Sequence, residues 1–204
     1  MVNIKNGFLK PDENLRDLQI LEEVSKDSGI SQRKLSNSLG VALGVTNACL
    51  RKMIRKGYIK VKGINHKRVA YYLTPKGFSE KAKLTYDFLQ HTVHYYINLK
   101  ENITLKLKSI SESGINNILF YGAGEVMEVA LICINQTDLK LIGIVDDSAE
   151  KQKEKMLSLA IDNPDSIKRL GPEAILITSI RYKDIILKKI RSDKALKAFT
   201  VYSL

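Results

Sequence analysis

Eleven Lys or Arg residues and no Asp or Glu lie between Asp27 and Glu80 of a 204-residue chain. Cations gathered without counter-charges suit a polyanion, because each one that meets a phosphate releases condensed counterions. A solvated basic surface has the same composition, so spacing has to narrow the choice. Asn47 and Arg51 stand one helical turn apart, with Thr46, Lys52 and Arg55 beside them. On one helix face that order brings an amide toward adenine and a guanidinium toward guanine. Thr46, near the helix start, would meet a base or a phosphate. Lys52, Arg55, Arg33 and Lys34 suit phosphates, which fix orientation and carry no sequence information. His66, Lys67 and Arg68 cluster at a polar tip that would reach the adjacent minor groove or backbone.

A second constellation starts after the apolar run Ile118–Tyr121, at Gly122-Ala123-Gly124-Glu125-Val126-Met127, and continues at Asp146-Asp147. Gly122 allows a tight turn, and Gly124 lets a phosphate approach the N–H groups of a helix N-terminus. Asp146, 24 positions after Gly122, would accept from ribose hydroxyls and favour NAD over NADP. Met127 stands where the dinucleotide motif has a third small residue, and Glu125 and Glu128 put negative charge in the same first turn. A strand-turn-helix that needs glycines only for packing explains the same residues.

Groups for catalysis are few. The two Tyr-x-x-x-Lys matches, Tyr58/Lys62 and Tyr96/Lys100, both precede the glycine turn, the wrong order for a short-chain dehydrogenase. His91 and His94 share a helix face without a third metal ligand. No catalytic residue and no metal site is expected, and Cys133, inside the apolar stretch Val129–Ile134, reads as core.

Holding these groups in place requires a scaffold whose elements are readable from spacing. Leu15, Leu18, Ile20, Leu21 and Val24 recur at helical intervals after Asp12, a plausible cap. Ser31 caps a short second helix, Gln32–Leu39, and Gly40 breaks the chain. A third helix runs to about Lys56, with Val45, Cys49, Leu50, Met53 and Ile54 expected on its buried side, and Gly57 stops it. Tyr58–Lys62 and Val69–Leu73 read as two strands of a wing. From Lys76 toward Ser113 extends a long helix whose apolar stripe, including Leu84, Phe88, Tyr95, Leu99, Ile103, Leu107 and Ile110, suits dimerisation or packing on a second domain. After Gly114, strands at Asn117–Tyr121, Lys140–Val145, Leu157–Ile161, Ala174–Thr178 and Ala198–Val201 alternate with helices, which implies a parallel sheet with flanking helices.

Composition agrees with a two-part molecule. The formal net charge is +11, with 18 Lys/Arg against 8 Asp/Glu in residues 1–100 and 15 against 14 in residues 101–204. Two cysteines, Cys49 and Cys133, cannot build a disulfide framework and fit a reducing cytosol. Apolar runs stay short of a membrane span, and the N-terminus lacks a signal-peptide core, so a soluble, cytoplasmic protein is expected.

The stretches Ser31-Gln-Arg-Lys-Leu-Ser-Asn-Ser-Leu-Gly40, Leu43-Gly-Val-Thr-Asn-Ala-Cys-Leu50, Lys56-Gly-Tyr58 and Leu73-Thr-Pro-Lys-Gly77 resemble the MarR-type winged-helix regulators, in particular the branch associated with exopolysaccharide gene clusters. The resemblance covers about residues 12–105 and implies a homodimer on a partly palindromic operator, with the third helix as reader. Asn117 to Asp147 is similar to the Rossmann-like domains of nucleotide-sugar enzymes and sugar acyltransferases, which implies a nucleotide sugar as effector. The Rex family of redox-sensing repressors also joins a winged helix to a Rossmann domain. This chain departs from it in lacking the third glycine and in ending at Leu204 right after the last expected strand.

The expected fold class is therefore α/β: a winged helix-turn-helix over residues 1–77, a linker and dimerisation helix over 78–113, and a Rossmann-like parallel sheet over 114–204. The expected function is a DNA-binding transcription regulator, a homodimer on double-stranded DNA with NAD or a nucleotide sugar as effector and no membrane contact. The alternative is a nucleotide- or NAD-dependent sugar-modifying enzyme that carries a basic helical domain.

Overall fold

A computed structural model describes residues 13–65, 68–156 and 159–204. They divide into two compact units whose boundary in sequence falls at His94 and Tyr95. The first unit begins with α1 (Glu13–Lys26), α2 (Gln32–Leu39) and α3 (Leu43–Arg55) and continues into the antiparallel pair β1 (Ile59–Asn65) and β2 (Arg68–Leu73). The cap expected at Asp12 lies outside the described residues.

Local chemistry starts and stops α2. Ser31 has extended backbone, and its Oγ accepts from the Lys34 N–H at 3.1 Å, satisfying one of the orphan donors of a helix start. Gly40 ends α2 at φ +65°, a left-handed conformation that glycine adopts without a Cβ penalty. The core of this unit gathers Leu18, Ile20, Leu21 and Val24 of α1, Leu35 of α2, Cys49, Leu50 and Met53 of α3, and Ile59 and Tyr71 of the hairpin. Val45 and Ile54, expected in that core, are instead 39% and 37% exposed. The reason is angular: Thr46, Cys49, Leu50 and Met53 define the inward arc at spacings of three and four, and Val45 and Ile54 fall at its two edges.

The Leu73-Thr-Pro-Lys-Gly77 segment joins the wing to α4 (Pro75–Glu112) by close backbone packing. Thr74 Oγ1 donates to the Gly57 carbonyl at 2.6 Å and accepts from the Gly77 N–H at 3.0 Å. A Cβ at Gly77 would lie 2.0 Å from the Tyr58 carbonyl oxygen, so only glycine allows this approach. Lys76 Nζ donates to the Lys56 carbonyl at 3.0 Å, near the C-terminal end of α3. Leu84 of α4 closes the core of the first unit, while Ile103, Leu107 and Ile110 of the same helix are fully buried in the second. The segment 78–113, expected as a linker and dimerisation helix, supplies core residues to both units.

The second unit is built on a six-stranded sheet with strand order β5-β6-β4-β3-β7-β8: β3 (Asn117–Tyr121), β4 (Lys140–Val145), β5 (Lys155–Met156), β6 (Leu159–Asp162), β7 (Ala174–Ile177) and β8 (Thr200–Ser203). The pairs β3–β4, β3–β7, β4–β6 and β7–β8 are parallel, and β5–β6 is antiparallel. The strand expected at Leu157–Ile161 overlaps β6, which pairs with β4 in parallel and with β5 in antiparallel; residues 157 and 158 lie outside the described residues. The last strand, expected at Ala198–Val201, lies at Thr200–Ser203. Side-chain alternation separates two cores. Ile118 and Phe120 of β3 face a layer with Ile103, Leu107 and Ile110 of α4 and with α5 (Glu125–Ile134). Leu119 and Tyr121 face the other layer, with Ile167 of α6 (Ile167–Leu170) and Ile186 and Ile190 of α7 (Lys183–Ser192). Chain order runs from the central β3 out to β4 and β6, then back across to β7 and β8, the doubly wound arrangement of an open parallel sheet.

Candidate nucleic-acid interface

The reading helix expected from sequence is α3, and burial sorts its residues. Stepping roughly 100° per residue, Val45, Ala48, Arg51 and Arg55 fall within about 120° of one another, and all four are exposed. This is the open face. Thr46, expected on it, is fully buried, and its hydroxyl donates to the Ala42 carbonyl at 3.5 Å. Asn47 is half-buried with its Oδ1 inside, and that oxygen meets no hydrogen-bond partner among the described residues.

Lys52 also departs from expectation. Its ammonium lies 2.6 Å from Asp17 Oδ2 and 2.5 Å from Glu13 Oε1, which ties α1 to α3. Burial opposes the charge on Lys52, but hydrogen bonds to Asp17 and Glu13 outweigh it and hold the ammonium above the usual lysine range. The hydrogen bond from Lys52, and then its charge, hold Glu13 below the usual carboxylate range. Lys52 thus braces α3 against α1, and among the described residues Arg51 and Arg55 are the exposed cations of α3.

Arg33 and Lys34 are exposed in the first turn of α2, where Lys34 Nζ lies 3.3 Å from Asp27 Oδ2. That exposed pair contributes little. In the wing, Lys60 and Lys62 of β1 are exposed and pair in register with Tyr72 and Ala70 of β2. The sequence pattern points to the tip, at His66, Lys67 and Arg68, instead. His66 and Lys67 lie outside the described residues, as does the Arg68 side chain. Strand alternation was the signal available for Lys60 and Lys62, since residues two apart share a face. For Val45 and Ala48 the signal is the inward arc of Thr46, Cys49, Leu50 and Met53, which leaves Val45 at its edge and Ala48 pointing away.

In the second unit, Gly122 has φ +114°, and a Cβ there would lie 2.9 Å from the Ser179 Cβ. Thr178 Oγ1 donates to the Gly122 carbonyl at 2.7 Å, closing the turn against the end of β7. Asp146 supports the turn from the other side. Its Oδ2 accepts from the Ala123 N–H at 2.7 Å and lies 3.3 Å from Lys151 Nζ, while Oδ1 accepts from the Ser148 N–H at 2.8 Å. Both oxygens are therefore engaged within the protein. Gly124 is the N-cap of α5, Glu125 is exposed, and Val126 is 2% exposed. Asp147 accepts from the Tyr121 hydroxyl at 3.0 Å and pairs with Lys189. Burial, and then the hydrogen bond to Asp147, keep the Tyr121 hydroxyl protonated far above its ordinary range. Lys151, Thr178, Ser179 and Lys189 were not singled out from sequence, because they come from other loops and helices. His91 and His94 are both exposed on α4. Among the described residues, no group of three or more His, Cys, Asp or Glu side chains is placed to hold a metal ion, and no helix is long and apolar enough to cross a membrane.

Two family models match parts of the chain. One, described as winged helix-turn-helix DNA-binding, spans residues 13–60, which are α1, α2, α3 and the start of the wing. The other, described as C2185-like, N-terminal, spans residues 114–195. Comparison with curated proteins finds no match. Among solved structures, the chain is similar to a MarR family protein of Mycobacterium tuberculosis in complex with salicylic acid, at 18% identity over 48% of this chain and 75% of that one, TM-score 0.37. Streptococcus pneumoniae FabT in complex with DNA aligns at 23% identity over 54% of this chain and 79% of that one, TM-score 0.33. A UDP-D-quinovosamine 4-dehydrogenase from Vibrio fischeri aligns at 20% identity over 44% of this chain and 78% of that one, TM-score 0.36. At such scores the likenesses leave the domain assignment to the family models and the local geometry: the first unit carries a winged helix-turn-helix DNA-binding domain.

Proposed function

We propose that this protein is a MarR-type, sequence-specific transcription regulator that acts on cytoplasmic DNA as a homodimer. The observation that carries the reading is the open face of α3, where Arg51 and Arg55 stand exposed within an acid-free stretch from Asp27 to Glu80. A helix-turn-helix lays such a face in the major groove, and its cations meet base edges and phosphates. The experiment is operator selection from random duplexes, followed by binding at several salt concentrations. The selected site is expected to bind with a steep salt dependence. Arg51→Ala is expected to cost about 1–3 kcal/mol on that site and much less on random duplex. Equal losses on both would remove Arg51 as a reader.

A second copy of the chain is the partner that α4 supports. Phe78, Tyr86, Leu89 and Val93 are between 47% and 61% exposed and, with Ala82, recur at spacings of three and four along one side of the helix. Phe78, Ala82, Tyr86 and Leu89 also line a shallow apolar groove there. An apolar stripe of that length on one helix fits helix-on-helix packing between protomers.

For the second unit, the Gly122–Gly124 turn supports a nucleotide or nucleotide-sugar effector. With Asp146 engaged as a brace, the group that faces an incoming phosphate is Lys151, whose Nζ lies 3.9 Å from where a Gly124 Cβ would stand. Thermal melting with NAD and with UDP-sugars tests this: a ligand at one hundred times its Kd adds about 2.7 kcal/mol to folding stability. A flat response to both compounds would leave the unit as a protein-contact module.

A further inference from the structure

The first two turns of α3 present an open face made mostly of small and apolar residues. Thr46 is buried and bonded to Ala42, and Asn47 is half-buried with its Oδ1 covered. On the side that Arg51 continues, the outward residues are Gly44, Val45 and Ala48, with Val45 39% exposed although apolar; Leu43, also exposed, lies off that stripe. The first side chain with donors on this stripe is Arg51. In a docked helix-turn-helix, residues near the N-terminus of the reading helix lie against base edges. An apolar side chain there distinguishes one feature of a B-DNA major groove, the 5-methyl group of thymine.

We propose that Val45 and Ala48 are specificity-determining residues that read thymine methyl groups, leaving hydrogen-bond readout of a purine to Arg51. The inference rests on the DNA-binding reading above and deepens it, because it names what the helix selects. Charge favours DNA as the occupant of this face over an apolar protein partner: Arg51 and Arg55 continue the same stripe, and no acid occurs from α2 to the start of α4. Gly44, with no side chain, and the single methyl of Ala48 also let the helix backbone come close to the floor of the groove.

The test uses the full chain and the operator obtained by selection. Thymines in the operator are replaced one at a time by uracil, which removes only the methyl group, and Kd is measured at fixed salt. At the contacted positions, wild-type protein is expected to lose about fourfold in affinity per methyl. Val45→Ser, at an exposed position, is expected to melt as wild type does and to bind the thymine and uracil forms of one position equally. Salt-dependent, sequence-specific binding that is unchanged by uracil at every position overturns the methyl readout and leaves the DNA-binding reading standing. Absence of salt-dependent binding to any duplex overturns both.

Discussion

Lys52 carries the same charge as Arg51 and Arg55 but uses it within the fold. Asp17 is 7% exposed, and removing its cation would leave a carboxylate buried with no counter-charge, a larger loss than the pair itself contributes. Lys52→Ala is therefore expected to lower unfolding free energy by about 3 kcal/mol, measured by urea denaturation. Asp17→Asn combined with Lys52→Met is expected to cost less than Lys52→Ala alone. If Lys52→Ala left stability unchanged and weakened only DNA binding, the side chain would be a phosphate contact after all. Glu173 makes a parallel case in the second unit. It accepts from the Asn116 N–H at 2.6 Å and from Asn117 Nδ2 at 3.2 Å, and the backbone hydrogen bond from Asn116 is the main cause that holds its carboxyl below the usual range. A carboxyl with a depressed folded pKa adds stability above its unfolded pKa, near 4.5, and that stability is lost as pH falls through the folded value. Melting curves between pH 6 and pH 3 are expected to show a shallower acid limb for Glu173→Gln than for wild type.

At the level of elements, caps and close approaches decide where helices begin and how they meet. The Ser31 side chain satisfies one N–H at the start of α2, so Ser31→Ala is expected to destabilise by about 1 kcal/mol, visible as a lower melting temperature. Gly77 permits a contact that no other residue allows. Gly77→Ala is expected to cost upward of about 3 kcal/mol, because the Cβ meets backbone at Tyr58 and cannot rotate away. Recovery of wild-type melting behaviour in Gly77→Ala would mean that α4 can shift against the wing without penalty. Both elements were legible in the chain as Ser31-Gln-Arg-Lys and Thr74-Pro-Lys-Gly77, since caps and helix starts depend on residues within one turn of each other. Val45 and Ile54 were misplaced for the opposite reason. Apolar character alone does not say which edge of an amphipathic arc a residue occupies.

For the whole molecule, charge is divided as unevenly as structure. The first hundred residues carry nearly all of the +11 net charge, so the salt slope of DNA binding belongs to the winged-helix unit. Arg55→Ala is expected to reduce that slope by about one and to weaken specific and random duplexes alike. The exposed stripe on α4 makes a separate prediction about assembly. Tyr86→Glu with Leu89→Glu is expected to convert a dimer into a monomer in sedimentation equilibrium and to weaken operator binding at low protein concentration, while a monomeric wild type at micromolar concentration would end the dimer reading.

The chain by itself determined the helix spacings, the glycine stops, the wing, the alternation of strands and helices after Gly114, and the segregation of cations. Each of these is a local or periodic property, carried by neighbours a few positions apart. Only tertiary structure decided that Thr46 faces inward, that Lys52 is held by Asp17 and Glu13, that both oxygens of Asp146 are engaged with the turn and Lys151, and that Lys189 reaches Asp147. Those outcomes join residues brought together by packing, and a carboxylate's partner is set by which cation the fold carries to within a few ångströms of it, whatever the distance along the chain.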